Sequence, residues 1–247
     1  MSLKKPIRIA MWSGPRNIST AMMRSWENRA DTQVVDEPFY ACYLTETGIV
    51  HPMQQEILGS QSSNWQQVIK QSLSSPLESQ QTIQYQKHMT HHMVVDIDRT
   101  WFASLRNAFL IRHPERVVAS YSQKRGSFSA EELGFKKQYE IFSMALETLE
   151  SPPVVIDSVE ILKQPEKALN KLCLALDVPF DKNMLSWPAG KRDSDGVWAA
   201  HWYQNVEAST GFAPFSDKAI TLNAEAKRVV KECLPYYEKM ADKQINI

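Results

Sequence analysis

Cysteine is scarce: Cys42, Cys173 and Cys233 are the only three in 247 residues, and they lie far apart. An odd, scattered set excludes a disulfide framework and fits a reducing compartment. No Cys-x-x-Cys pair occurs, and a lone cysteine is most often a small buried hydrophobe, so none is carried forward as a nucleophile. Net charge is absent as well, because 28 basic residues meet 28 acidic ones. That balance leaves no footprint for wrapping nucleic acid, and any anion site has to be local. No apolar run reaches the length of a membrane helix, and Met1-Ser2-Leu3-Lys4-Lys5-Pro6 enters a strand without a signal-peptide core. A cytoplasmic protein with neither a membrane nor a nucleic-acid partner is expected. Internal repeats and an interdomain linker are also missing, so residues 1–247 are expected to form one domain with one substantial core.

A further absence lies inside the most informative turn. Ile7-Arg8-Ile9-Ala10-Met11-Trp12 reads as a buried strand, and Ile18, Ala21, Met22, Ser25 and Trp26 recur at helical spacing after it. Between them, Gly14 begins a stretch that a nucleotide-hydrolysing loop would end in Gly-Lys-[Ser/Thr]; here those places hold Ser19, Thr20 and Ala21. The phosphate lysine and the magnesium hydroxyl are both missing, which speaks against ATP or GTP hydrolysis. What remains still attracts an anion. The first N–H groups of the helix face the turn, the helix dipole adds positive potential, Arg16 adds a full charge, and Ser19 and Thr20 add hydroxyl donors. The plain alternative is a Ser/Thr helix cap.

Two later segments repeat the strand-to-helix pattern. Thr32 to Asp36 reads as a strand that delivers Glu37 past its carboxyl end, where open α/β sheets bind ligands. Arg106 to Ile111 reads as another, followed by Arg112, Pro114 at a first helical position, and Ser120 eight residues after Arg112. Between these, a strand over Thr82 to Gln86 leads to Lys87, His88, His91 and His92. An imidazole near its ordinary pKa of about 6.5 can take a hydroxyl proton, so Glu37 and the histidines are rivals for one role. Zinc is the other use of the cluster, with Asp96 or Asp98 as further ligands. Helices are expected over Asn64–Leu73, Glu131–Glu150, Val159–Leu162, Pro165–Leu176 and Ala224–Met240, the last kinked or broken at Pro235. Tyr43 to Ser63 reads as a loop with at most a short helix. This rhythm predicts a parallel sheet with right-handed crossovers that gathers Arg16, Glu37, His88 and Arg112 at one edge.

Taken together, these segments resemble the sulfotransferase family. Pro15-Arg16-Asn17-Ile18-Ser19-Thr20 is similar to the Pro-[Lys/Arg]-Ser-Gly-Thr-Thr loop that holds the 5′-phosphosulfate of PAPS, with Ile18 where that family has glycine. By that resemblance Arg16 touches the transferring sulfuryl group, Ser19 and Thr20 the 5′-phosphate, and Gly14 and Asn17 complete the turn. Arg112 and Ser120 resemble the 3′-phosphate motif. Gly190 to Trp198 resembles a late Arg-Lys-Gly-x-x-Gly-x-Trp loop, with Lys191 and Arg192 at the basic places, Asp193 replacing the first glycine, and Gly196 and Trp198 matching. The resemblance also carries the general-base role to Glu37, or to His88 or His91 through a looser Lys-x-His match. It implies a three-layer P-loop-like α/β fold with a central, mostly parallel sheet flanked by helices. It further implies PAPS as donor and PAP as product, no metal, and a small-molecule hydroxyl or amine as acceptor. The rival readings are a phosphotransferase on the same fold and a non-catalytic PAP-binding module. Trp12, Phe39, Tyr40, Trp65 and Trp202 are candidates for an apolar acceptor pocket, with core packing as the plain alternative.

Overall fold

The computed structural model describes residues 5–78, 80–94, 98–122 and 128–247. Its strands are β1 (Ile7–Ser13), β2 (Thr32–Asp36), β3 (Ile83–Met89), β4 (Arg106–Ile111) and β5 (Val154–Asp157). All pair in parallel in the order β2-β3-β1-β4-β5, with β1 in the middle. Helices cover both faces, which is why β1 and β4 read as largely apolar runs, whereas the equally buried β3 carries Gln84, Gln86, Lys87 and His88. The period of two along β1 sorts its side chains between two cores. Ile9 and Met11 face Met22, Met23 and Trp26 of α1 (Ser19–Glu27), whereas Ala10 and Trp12 face Phe102, Phe109 and Phe142. This is the three-layer α/β architecture.

Between β2 and β3 the chain makes α2 (Tyr40–Thr47), α3 (Gln54–Ser60) and α4 (Trp65–Ser74). The stretch expected as a loop is therefore mostly helical: burial of Ala41, Cys42, Leu44 and Ile57 holds two short helices whose periodicity is too brief to see. After β4 come α5 (Pro114–Ser122) and α6 (Phe135–Thr148), and after β5 come α7 (Ser158–Lys163) and α8 (Pro165–Ala175). Two single-turn helices, α9 (Ala199–Trp202) and α10 (Gln204–Glu207), precede α11 (Ala224–Ala241). Pro235 does not break α11, because Val229, Val230 and Cys233 before it pack against Val117 and Val118 of α5 and Met240 after it is buried in the second core. All three cysteines are free and buried, and burial pushes the Cys42 and Cys173 thiols up to about 11 and Cys233 to about 12. No helix among the described residues is long and apolar enough to cross a membrane.

Candidate active site

The carboxyl ends of β1, β2, β3 and β4 open into one cavity of about 950 Å³. That is the upper end of the range for small-molecule sites, with room for more than one ligand. Its two ends differ in chemistry.

The cationic end is built on the turn between β1 and α1. Gly14 lets this turn pass under the loop before α6, since a Cβ there would lie 3.0 Å from the Leu133 carbonyl oxygen. Asn17 turns inward and donates from Nδ2 to the Leu110 carbonyl at 2.5 Å, tying the turn to β4. Arg16 and Ile18 sit at φ 59° and 48°, a left-handed conformation that is an outlier for a β-branched residue. The isoleucine thus adopts the backbone shape glycine would take, at a strain on the order of 1–3 kcal/mol, with its side chain packed on the core. No side chain caps α1, whereas Asn64, Asp157 and Asn223 cap α4, α7 and α11. Ser19, Thr20 and Ala21, the first residues of α1, line the cavity instead.

Arginines surround these groups. Arg16 donates from Nε to Ser120 Oγ at 2.9 Å, and Arg112 donates from Nη1 to the Arg16 carbonyl at 2.5 Å. Arg112 Nε is buried without a partner. Burial, then the neighbouring charges of Arg116 and Arg16, hold Arg112 below the ordinary arginine range, with Asp157 opposing weakly. One turn along α5, Arg116 donates to the Ser216 carbonyl at 2.9 Å, stacks over Phe215 at 4.5 Å and has Asp217 at 3.9 Å. Crowded guanidinium groups, an uncapped helix and an orphaned N–H together fit an anion with several oxygens.

The aromatic end is built from β2, β3 and the segment that follows α8. Register pairs Asp36 with Lys87 across β2 and β3. Lys87 is buried and spends its three N–H bonds on Asp36 Oδ1 at 2.9 Å, Glu37 Oε1 at 2.5 Å and the Tyr203 hydroxyl at 2.6 Å. Tyr203 donates in turn to Asp36 Oδ2 at 2.7 Å, and the Gly196 N–H reaches the same oxygen at 3.1 Å. Two carboxylates sharing one lysine keep Lys87 charged against the pull of burial, which its raised pKa reflects. Burial raises Glu37, Lys87 opposes that and Asp36 adds to it. The free carboxylate oxygen, Oε2, has His92 Nε2 3.9 Å away.

His88 is not in the cavity, and here the expectation is corrected. Lys87 and His88 are adjacent on β3 and so face opposite sides of the sheet. His88 pairs in register with Trp12, stacks on it at 4.4 Å, meets Phe39 at 5.7 Å and hydrogen-bonds Gln86 through Nε2 at 3.0 Å. Burial there pulls its pKa to about 3, so it stays neutral and away from any substrate. His91 and His92 do line the cavity. Of the proposed zinc partners, Asp96 lies outside the described residues, and Asp98 is spent on the Thr100 N–H and hydroxyl at 2.9 and 2.8 Å. Among the described residues no three His, Cys, Asp or Glu side chains converge as a metal site.

Lys191 and Arg192 are likewise not brought to the cavity. Arg192 Nε lies 3.6 Å from Glu27 Oε2, at the far end of α1 from Ser19. The loop is pinned there because buried Arg24 grips Asp195 at 2.6 Å. Asp193 is exposed, so its replacement of a glycine repels nothing in the site. Only the end of the loop reaches the cavity: Trp198 forms a wall and donates from Nε1 to the Tyr203 hydroxyl at 3.2 Å. Gly196 is required by that indole, since a Cβ would sit 2.1 Å from it. Of the aromatic candidates, Tyr40 and Trp202 line the cavity, while Trp12, Phe39 and Trp65 pack in the second core. Sequence reading missed Asp36, Arg116, Tyr203 and residues 209–216. Arg116 had a signal, a second arginine in the first turn of the helix that opens just after Arg112; the 209–216 segment has no periodicity to find.

A parallel sheet with an uncapped, arginine-rich turn after its central strand and an acid after its second defines the class of α/β protein here. Residues 7–244 match the family model described as a sulfotransferase domain, and the chain belongs to that family. It is 34% identical over 235 residues to the branched-chain-amino-acid aminotransferase-like protein 1 of Arabidopsis thaliana, and 32% over 229 residues to protein 2. These alignments cover 95% and 93% of this chain but 42% and 40% of those proteins, so the chain spans about two fifths of their length. Among solved structures, the sulfotransferase domain of the curacin biosynthetic pathway superposes with TM-score 0.51 at 15% identity, covering 93% of this chain and 98% of that one. A mouse sulfotransferase solved with PAP gives 0.52 at 12% identity, covering 92% and 82%. At such identities the likeness is one of fold.

Proposed function

We propose that this chain transfers a sulfuryl group from PAPS to a hydroxyl or amine of a small-molecule acceptor. The observation that carries this is the unpartnered Arg112 Nε among Arg16, Arg116 and the uncapped start of α1, in the same cavity as Glu37. When bound, PAPS supplies an electrophilic sulfuryl group on a phosphate leaving group. Gly14 to Thr20 would hold the 5′-phosphate end through backbone N–H groups and hydroxyls, and Arg16 would stabilise charge where the bridging oxygen departs. Arg112 and Ser120, with Arg116 beside them, would hold the 3′-phosphate. Glu37 would take the acceptor's proton at Oε2, while Lys87 fixes Oε1 and so orients the carboxylate.

Calorimetric titration with PAP and AMP, on the wild type and Arg112→Ala, tests the donor site. Micromolar or tighter PAP binding is expected, weakened by about 2 kcal/mol when either the 3′-phosphate or Arg112 is removed. PAP binding no tighter than AMP would overturn the reading.

A further inference from the structure

We infer that the acceptor is a hydrogen-bond donor carried on an aromatic or apolar body without an anionic group, a neutral or positively charged amphiphile rather than an acid. This rests on the sulfotransferase reading and names the acceptor class for it.

The walls of the aromatic end argue for the body. His92 stacks against Tyr40, at 4.6 Å and 24°, and against Tyr43, at 4.8 Å and 25°. Trp198 meets Tyr40 edge-on at 5.1 Å, and Met89, Val94 and Trp202 continue the lining. At the mouth, between α2 and α3, Ile49 and Val50 leave apolar surface in water, Val50 at 85% exposure.

The charges argue for the head group. The titratable groups around Glu37 are Asp36, Lys87, Tyr203, Tyr40, Tyr43, His51, His91 and His92. Lys87 is the cation among these, and its N–H bonds already end on Asp36, Glu37 and Tyr203. With Glu37 ionised, two carboxylates against one ammonium leave the cluster net negative, and Glu37 is the carboxylate that lines the cavity. The histidines do not offset it, because burial and the neighbouring Lys87 charge hold His91 at about 4 and His92 well below its ordinary value. His92 Nδ1, buried in this wall, has no partner. A carboxylate or phosphate on the acceptor would meet repulsion in a low-dielectric pocket, whereas an ammonium or hydroxyl would meet acceptors and π faces. The free guanidinium capacity lies at the opposite end, where the donor's phosphates would use it.

Three phenols that differ only in charge test this on the PAP-loaded protein by calorimetry: 4-ethylphenol, tyramine and 4-hydroxyphenylacetate. The neutral and cationic phenols are expected to bind at least tenfold tighter than the acid, and Glu37→Gln is expected to narrow the gap between tyramine and the acid by at least fivefold. Unchanged PAP affinity in that variant serves as the folding control. Equal or tighter binding of the acid, a gap unchanged in Glu37→Gln, or no binding of any of the three overturns the inference. A protein that binds PAP but fails these tests loses only the acceptor class; one that does not bind PAP loses the sulfotransferase reading itself.

Discussion

The two ends of the cavity are made in different ways. At the cationic end, most of the groups come from two short stretches, Gly14–Thr20 and Arg112–Ser120, each a strand end followed directly by a helix. Their positions follow from local geometry, because a helix that starts where a strand stops must point its free N–H groups at the turn. The aromatic end takes Asp36 and Glu37 from β2, Lys87 and His92 from β3 and its continuation, Tyr40 and Tyr43 from α2, and Trp198 and Tyr203 from near α9. Here each group is held by another from a distant part of the chain. One end tolerates a departure from the family pattern such as Ile18; the other depends on a closed set of partners.

Lys87→Met should separate the two ends most sharply. It leaves Asp36 and Glu37 buried side by side without their cation, and breaking a buried pair in this way costs about 3–5 kcal/mol. Chemical denaturation should show that loss, while calorimetry should find PAP affinity within about threefold of wild type if the ends are independent. A collapse of PAP binding in protein that remains folded would join the two ends into one unit.

Acid pH should act next, on His91 and His92 in the aromatic end and on His88 across the sheet from it. His88, His91 and His92 have folded pKa values depressed by burial, to about 3, about 4 and well below 6.5 respectively. Below 6.5 the unfolded chain takes up protons that the folded chain does not, so stability is present above that pH and is lost as pH falls toward the folded values. Each histidine contributes a slope of about 1.4 kcal/mol per pH unit across the interval from 6.5 to about 4. Urea denaturation over that interval, on wild type and His88→Gln, should give a shallower slope in the variant. An unchanged slope would show that His88 takes up its proton without unfolding.

Ile18→Gly probes the cationic end. It relieves the left-handed strain but adds chain freedom to the unfolded state, so a net gain of about 0.5–1 kcal/mol is expected from thermal melts. Destabilisation instead would mean that the packing of the Ile18 side chain outweighs its backbone strain. The smallest effect belongs to the Lys191→Ala/Arg192→Ala pair. Because Arg192 lies against Glu27 rather than in the cavity, PAP affinity should change less than about threefold. A tenfold loss would show the loop reaching the donor in the complex.

Much of the fold was legible in the sequence. The turn at Gly14–Thr20, the strands Thr32–Asp36 and Arg106–Ile111, and the start of α5 at Pro114 all follow from period, breakers and caps, which act over a few residues. The late loop was matched residue by residue yet sits elsewhere over half its length. Its position is decided by the Arg24–Asp195 ion pair, and no pattern near Lys191 carries that pairing. His88 and Lys87 show the same limit at the scale of one residue. Either could be assigned the cavity until the register of β3 against β1 and β2 was known, because one step along a strand reverses the face.

By itself the sequence determined the alternation of strands and helices, the strand-to-helix turn carrying Arg16 after the central strand and the presence of an acid past the second. Those are consequences of local sterics, hydrogen-bond geometry and hydrophobic period. Only the tertiary structure decided which titratable groups share the aromatic end, that Lys87 is consumed by three partners, and that Arg116 rather than Arg192 stands beside Arg112. Those facts depend on strand register and on contacts between residues far apart in the chain, 50, 51 and 116 positions at Lys87 and 171 at the Arg24–Asp195 pair that holds Arg192 away, where burial and charge neutralisation act through space rather than along the chain.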